Sequence, residues 1–363
     1  MKKLLPLLLL VSCTTKNPSK EFNNKLDTFF SNQFAADGPG GAMLVLKDTN
    51  IIFSKALGIA DLNTKEPITS RTLFNTGSIS KTFVANGILI LQEQGKLSVE
   101  DSVWKYFPTF KNKSIAQRVK IKHLLTHTSG LPDIRPIAKD SVFYLIANDE
   151  QNWFPITQTD TLEFEPGSRY NYSNPAYNAL ALIIQQVSGQ KWQDFITEKI
   201  YRPSGMLTST ITDGAHPDKG VAHAYTKIAG QWREDDYGEE PTFCAAGNGG
   251  IWSSVEELAK YELALRNAVF LKSVTIKDSR TVKTFPVWND AHPADRGWSW
   301  QVLKTPEGFM TAEHTGHQGG FAANYVSIPE KGILIVVLYN APYDVYLFRE
   351  RAMTFLREAN WLE

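Results

Sequence analysis

The stretch Phe74-Asn75-Thr76-Gly77-Ser78-Ile79-Ser80-Lys81 decides how this chain is read. It leads into Phe83-Val84-Ala85-Asn86-Gly87-Ile88-Leu89, whose apolar residues recur at helical spacing. Ser78 is therefore expected in the first turn of a helix, with Lys81 three residues on along the same face. A helix start offers positive partial charge and free N–H groups to a developing oxyanion. A serine hydroxyl is a weak nucleophile until a base takes its proton, and Lys81 fits that role if burial lowers its pKa. The bland reading is a capping serine beside a solvated lysine. Ser-x-x-Lys also occurs at Ser102 and Ser188, so the spacing alone decides nothing.

Two later motifs complete the pattern, Tyr172-Ser173-Asn174 and His314-Thr315-Gly316. Tyr172 and Asn174 are two residues apart, so in an extended or turn segment both side chains share one side. Pro175 and the apolar run behind it mark a loop entering a helix. Tyr172, as a phenolate beside a cationic lysine, is the alternative base, and the residues leave the choice between it and Lys81 open. His314-Thr315-Gly316 reads as following a strand and preceding a glycine-rich turn. A strand edge there is placed to pair with substrate backbone, and the N–H of His317 to serve as a second oxyanion donor beside that of Ser78. Taken singly, these motifs read as a packed tyrosine, a turn asparagine and a surface histidine.

Outward from these motifs, the chain divides by texture. Residues 19–34 place Phe22, Leu26, Phe29 and Phe30 on one helical face, with Ser19 as the expected N-cap. Ala42 to Leu46 and Ile51 to Phe53 flank Asp48-Thr49-Asn50, a hairpin signal. Trp298 to Leu303, Phe309 to Glu313, Ala322 to Ile328 and Ile333 to Tyr339 read as four further strands, closely spaced and hence antiparallel. A closing helix carries Val345, Phe348, Ala352, Phe355 and Leu356 on one stripe. The middle shows helical spacing, as in Leu180, Ile183, Ile184 and Val187, punctuated by prolines. The expected fold is α+β: a sheet domain from residues 21–90 and 245–363, flanked by terminal helices, with a mainly helical domain inserted over 91–244. A cleft between two such parts is a favoured place for a ligand.

With the motifs in this order, the chain from about residue 20 onward resembles the serine β-lactamase and penicillin-binding superfamily, in its class C branch. Leu124-Leu125-Thr126-His127-Thr128-Ser129-Gly130-Leu131-Pro132 and Gly249-Gly250-Ile251-Trp252-Ser253-Ser254 match segments of that branch. It also holds D-alanyl-D-alanine carboxypeptidases, D-aminopeptidases and carboxylesterases. The resemblance implies a β-lactamase/transpeptidase-like fold, a serine hydrolase working through an acyl-enzyme, and no cofactor. It makes Ser78 the acylated nucleophile, Lys81 its partner, Tyr172 the acid/base and Asn174 a polar support. His314, Thr315, Gly316 and His317 then line the strand side of the substrate site. Class C β-lactamases usually carry Lys-Thr-Gly at the third motif, and this chain has histidine, mostly neutral at pH 7. Esters, D-amino-acid peptides or related amides, including peptidoglycan-derived ones, are thus expected over β-lactams, and acid pH is expected to supply the missing charge. A class C-type β-lactamase and a non-turnover penicillin-binding or cell-wall-sensing module are the alternatives.

Other classes fall away. Formal net charge is zero, with 38 basic and 38 acidic residues and no long run of either sign, so no concentrated basic surface awaits nucleic acid. His123 and His127 have i, i+4 spacing, yet no glutamate follows His123 as zinc hydrolysis would require, and no metal is expected. Met1-Lys2-Lys3 and the apolar Leu4 to Val11 read as an export signal too short to span a bilayer. Leu10-Val11-Ser12-Cys13 resembles a bacterial lipobox, which makes Cys13 the lipidated residue, 1–13 the signal and 14–20 a tether. Thr14, rather than aspartate, after it points to the outer membrane of the cell envelope, facing the periplasm. Cys244 is the only other thiol and reads as a small buried hydrophobe. Expressed with its signal, the protein should partition into a detergent phase, and Cys13→Ala should abolish that partitioning. A wild-type protein that stays in the aqueous phase with its mature N-terminus elsewhere contradicts the lipobox reading.

Overall fold

A computed structural model of the chain describes residues 18–235 and 243–363, so Cys13 and the expected signal lie outside the described residues. Six antiparallel strands form the main sheet: β1 (Gly41–Lys47), β2 (Asn50–Leu57), β3 (Gln301–Lys304), β4 (Met310–Gln318), β5 (Phe321–Ile328) and β6 (Ile333–Tyr339). Their spatial order is β3-β4-β5-β6-β1-β2. The two chain ends meet where β1 pairs with β6, from Gly41 opposite Tyr339 to Lys47 opposite Ile333. The expected hairpin is β1–β2, its turn at Asp48 and Thr49.

Both faces of this sheet are covered, which is why its central strands read as continuous apolar runs instead of alternating. Met43, Val45, Val326, Ile335 and Val337 pack under two helices, α1 (Pro18–Ser31) and the last helix of the chain, through Phe22, Leu26, Phe30, Phe348 and Leu356. Ala42, Leu44, Ala323, Tyr325, Val336 and Leu338 face the other way, into the large core shared with the helical part. At the centre of that core runs α2 (Ser80–Glu93), buried from Ser80 through Leu91. Around it lie α3 (Ile121–Leu125), α4 (Asp149–Thr157), α5 (Asn174–Ser188), α6 (Ala246–Gly249), α7 (Val255–Arg266) and α8 (Ser273–Ser279). The closing helix is α9 (Val345–Glu358).

Three local expectations change. Ser19 lies inside α1, which is described from Pro18 onward, so it is helical and not an N-cap. Trp298 to Trp300 are buried but precede β3, because Ser299 has φ +73° and gives its N–H to the carbonyl of Leu125. His314, Thr315 and Gly316 lie within β4 and not after it, since pairing with β5 continues from His314 opposite Tyr325 to Gln318 opposite Phe321. β3 pairs with β4 only from Met310 to Glu313, so among the described residues no strand flanks the second half of β4 on that side. That free edge is where substrate backbone was expected.

One buried carboxylate fastens α7 and α8 to the sheet. Glu262, fully buried, accepts from Arg266 Nε at 2.8 Å, Arg280 Nη2 at 2.6 Å, Ser327 Oγ at 2.6 Å and the hydroxyl of Tyr325. Burial alone would raise its pKa, but the Arg280 and Arg266 charges and these hydrogen bonds outweigh burial and hold it at about 2. A carboxyl depressed in the folded state contributes stability above its unfolded pKa, near 4.5, that is lost as pH falls toward about 2. Urea midpoints measured from pH 5 to pH 2 should therefore drop steeply in wild type. Glu262→Gln should flatten that slope and lower stability at pH 7 by ~3–5 kcal/mol, because two buried guanidiniums lose their counter-charge.

Candidate active site

Ser78 sits in a single turn of 3-10 helix, Gly77–Ile79, that runs directly into α2. Gly77 holds φ +50°, a conformation that glycine adopts without strain. A Cβ at Gly77 would lie 2.6 Å from the backbone N of His317, and one at Gly316 would lie 2.0 Å from the carbonyl O of Thr76. β4 is thus seated directly on the serine turn, which brings the amides of Ser78 and His317 to one place, the disposition that an oxyanion needs.

Lys81 follows one turn along α2 with no surface exposed. Its Nζ donates to Ser78 Oγ at 2.9 Å and to the carbonyl of Asn248 at 2.6 Å. Burial pushes its pKa well below the usual lysine value, and the Arg135 charge adds to the shift. No carboxylate pairs with it among the described residues. The carbonyl that holds it is itself anchored: Asn248 Nδ2 donates to Asn178 Oδ1 at 3.1 Å, and Asn178 Nδ2 to Asp149 Oδ1 at 2.6 Å. Asp149 also accepts from the backbone N of Gly247 at 2.9 Å and from Trp192 Nε1 at 3.0 Å. Burial raises the Asp149 pKa to about 6 against these hydrogen bonds.

Tyr172 approaches from the loop before α5 and donates its hydroxyl to Ser78 Oγ at 2.7 Å. Its side is 40% exposed through the cavity mouth, yet loss of water around the hydroxyl still moves its pKa upward, so the phenol stays protonated. Ser78 Oγ is thereby held between an amine-bearing chain with a depressed pKa and a phenol with a raised one, an arrangement able to remove and return a proton.

These groups open onto a cavity of about 370 Å³ lined by Ser78, Tyr170, Tyr172, Arg296, Gln301, His314, Thr315, His317 and Tyr346. A larger, more apolar hollow of about 450 Å³ lies between α7, α8 and β4 and holds no nucleophile beside a base. The structure brings Ser78, Lys81, Tyr172, His314, Thr315 and His317 together, with Gly316 as the backbone wall behind the serine. Asn174 is not among the lining residues; it opens α5 after the capping Ser173, and makes no side-chain hydrogen bond among the described residues. Ser102 and Ser188 lie elsewhere, before a short 3-10 turn and at the end of α5.

Arg296 and Tyr170 were not legible in the sequence. Arg296 stacks its guanidinium 4.6 Å from the Tyr170 ring centre, and Asp295 lies 3.1 Å from its Nε. Its Nε is buried and ion-paired with Asp295, while its Nη groups make no hydrogen bond among the described residues and the side chain lines the cavity. The expectation of a site without permanent positive charge is therefore corrected: Arg296 supplies it from outside the three motifs. The expectation that acid pH would charge His314 is corrected too. Burial lowers the His314 pKa to about 3, with its Nδ1 against the carbonyl of Thr315 at 2.6 Å. The one signal that pointed to Arg296 was indirect: with no lysine in the third motif, a substrate carboxylate needs its cation from elsewhere.

Comparison with known proteins agrees with this geometry. Penicillin-binding protein 4* of Bacillus subtilis is 29% identical over 84% of this chain and 68% of its own length. A protein of Escherichia coli K12 named "Putative D-alanyl-D-alanine carboxypeptidase" is 27% identical over 93% of this chain and 90% of its own. The octameric penicillin-binding protein homologue from Pyrococcus abyssi superposes with a TM-score of 0.79 at 26% identity, covering 92% of this chain and 77% of that one. The Beta-lactamase family description matches residues 26–356, so the chain belongs to that family of serine hydrolases.

Proposed function

We propose that this protein is a serine peptidase of the D-alanyl-D-alanine carboxypeptidase type, cleaving an amide whose leaving residue bears a free carboxylate. The observation that carries this reading is Arg296, a guanidinium on the wall of the cavity that holds Ser78, paired at Nε with Asp295 and with no hydrogen bond at its Nη groups among the described residues. A planar fork of donors matches a carboxylate in two parallel hydrogen bonds. An ester with no carboxylate has no use for it.

In the proposed reaction, Ser78 Oγ attacks the amide carbon while its proton passes to neutral Lys81. The oxyanion that forms is held by the N–H groups of Ser78 and His317. Tyr172 then gives its proton to the leaving nitrogen as the C–N bond breaks, and Lys81 returns the serine proton to Tyr172. Water attacks the resulting ester with the same groups acting in reverse, releasing the acid and restoring Ser78. The choice of Lys81 as base rests on the opposite directions of the two shifts: burial favours the uncharged amine and the uncharged phenol alike. We further propose that the protein works at the cell envelope, where the lipobox-like run ending at Cys13 points and where peptidoglycan stem peptides supply such substrates. A β-lactamase reading draws on the same arginine, because penicillins carry a carboxylate; turnover of nitrocefin exceeding that of a D-alanyl peptide would favour it.

Arg296→Gln should lower kcat/KM for a D-alanyl-D-alanine peptide about ten- to hundredfold, the worth of a charged hydrogen-bonded contact. For a nitrophenyl ester lacking the carboxylate the change should stay below about threefold, with Ser78→Ala as the inactive control for both. Equal losses on the two substrates would contradict the reading. Acylation by wild type should rise with pH through the depressed pKa of Lys81, because only the deprotonated amine accepts the serine proton. Lys81→Arg, whose guanidinium stays charged, should lose roughly a thousandfold across that whole range.

A further inference from the structure

We propose that His127 is the positioning residue that sets the Tyr172 hydroxyl on Ser78, by gripping the backbone on both sides of that tyrosine and stacking on its ring. The inference rests on the reading of Tyr172 as the proton-transferring phenol. His127 follows α3, in the segment Leu124 to Pro132, and is 2% exposed. Its carbonyl accepts from the N–H of Asn171 at 2.9 Å, and its ring Nδ1 accepts from the N–H of Ser173 at 3.0 Å. The residues immediately before and after Tyr172 are thus tied to one side chain and its own backbone. The ring stacks on Tyr172 with centroids 4.3 Å apart and planes inclined by 26°, and Tyr177 packs close by at 5.1 Å. With Asn171 and Ser173 fixed and the ring supported from behind, the Tyr172 side chain has little freedom except toward Ser78.

Two features of His127 add weight because they cost stability. Its φ is +57°, in the left-handed region that residues other than glycine seldom adopt. Since Nδ1 accepts a backbone N–H, the ring proton resides on Nε2, which is buried with no partner among the described residues. A residue held in a strained conformation with an unpaired buried donor is not there for stability, and such residues concentrate at functional sites. Burial, with the Arg296 charge adding to it, keeps the ring neutral, so Nδ1 stays free to accept.

A double-mutant cycle tests the proposal, with the rate of Ser78 acylation by a fluorescent penicillin measured per titrated active site. His127→Phe keeps a ring but removes the acceptor, and should slow acylation about ten- to hundredfold, the effect of displacing a reacting group by about an ångström. In the Tyr172→Phe background the same change should cost less than about threefold, since no hydroxyl remains to be placed. His127→Asn should recover at least about half of the loss on a logarithmic scale. Its Oδ1 stands the same number of bonds from the backbone as Nδ1, and asparagine tolerates positive φ. The strain of a phenylalanine at this φ is common to both backgrounds and cancels in the cycle. An equal loss in the two backgrounds, or a His127→Phe rate within about twofold of wild type, overturns the proposal while leaving Tyr172 in its role. A Tyr172→Phe variant that acylates at the wild-type rate is a different result: it overturns the role of Tyr172, and the positioning role with it.

Discussion

The close seating of one backbone on another underlies this structure. The Thr76–Ser78 turn and the Gly316–His317 segment of β4 approach so tightly that neither Gly77 nor Gly316 has room for a Cβ. That contact joins the sheet to α2, sets Ser78 beside a strand edge that no neighbouring strand covers among the described residues, and brings the amides of Ser78 and His317 close together. The third motif matters less for the chemistry of its side chains than for the glycine that lets β4 come down on the turn. Thr315 and His317 then line the cavity because strand geometry places them on the open side.

The second constraint is electrostatic. A lysine with no exposed surface and no carboxylate partner would be costly as an ammonium, so the fold favours the amine. What satisfies its donors is a carbonyl, that of Asn248, on a turn anchored through Asn178 and Asp149 to α4, α5 and Trp192. A carbonyl orients without adding negative charge. A carboxylate in the same place would stabilise the cation and raise its pKa, which is the wrong direction for a base. The segment Gly249 to Ser254, noticed in the sequence only as a family resemblance, continues this support: the N–H of Ile251 donates to Ser80 Oγ at 3.1 Å.

How much could be read in advance follows from the range of the interactions. Ser78 and Lys81 were legible because one helical turn relates them, and β1, β2, β5 and β6 because their apolar runs are long and punctuated. The helical face of α1 was legible, but Ser19, read as its N-cap, lies inside the helix, because a capping side chain alone does not fix where a helix begins. The full length of β4 escaped because its second half is held by pairing with β5, a long-range fact. Arg296 escaped for the same reason: nothing near it in the sequence distinguishes it from other surface arginines until Tyr170 and the cavity are placed beside it. The protonation of His314 was misjudged because its ordinary pKa assumes water, and the structure removes that water.

The pairing of β1 with β6 also orders events in time. Helix α1 and the β1–β2 hairpin are synthesised long before their partners, β6 and α9. Until then the apolar strand from Ala42 to Leu46 has an open edge and an uncovered face. The main sheet cannot close on a growing chain before β6 is made, so native pairing of β1 waits for that strand, and the early strand needs shielding in the interval.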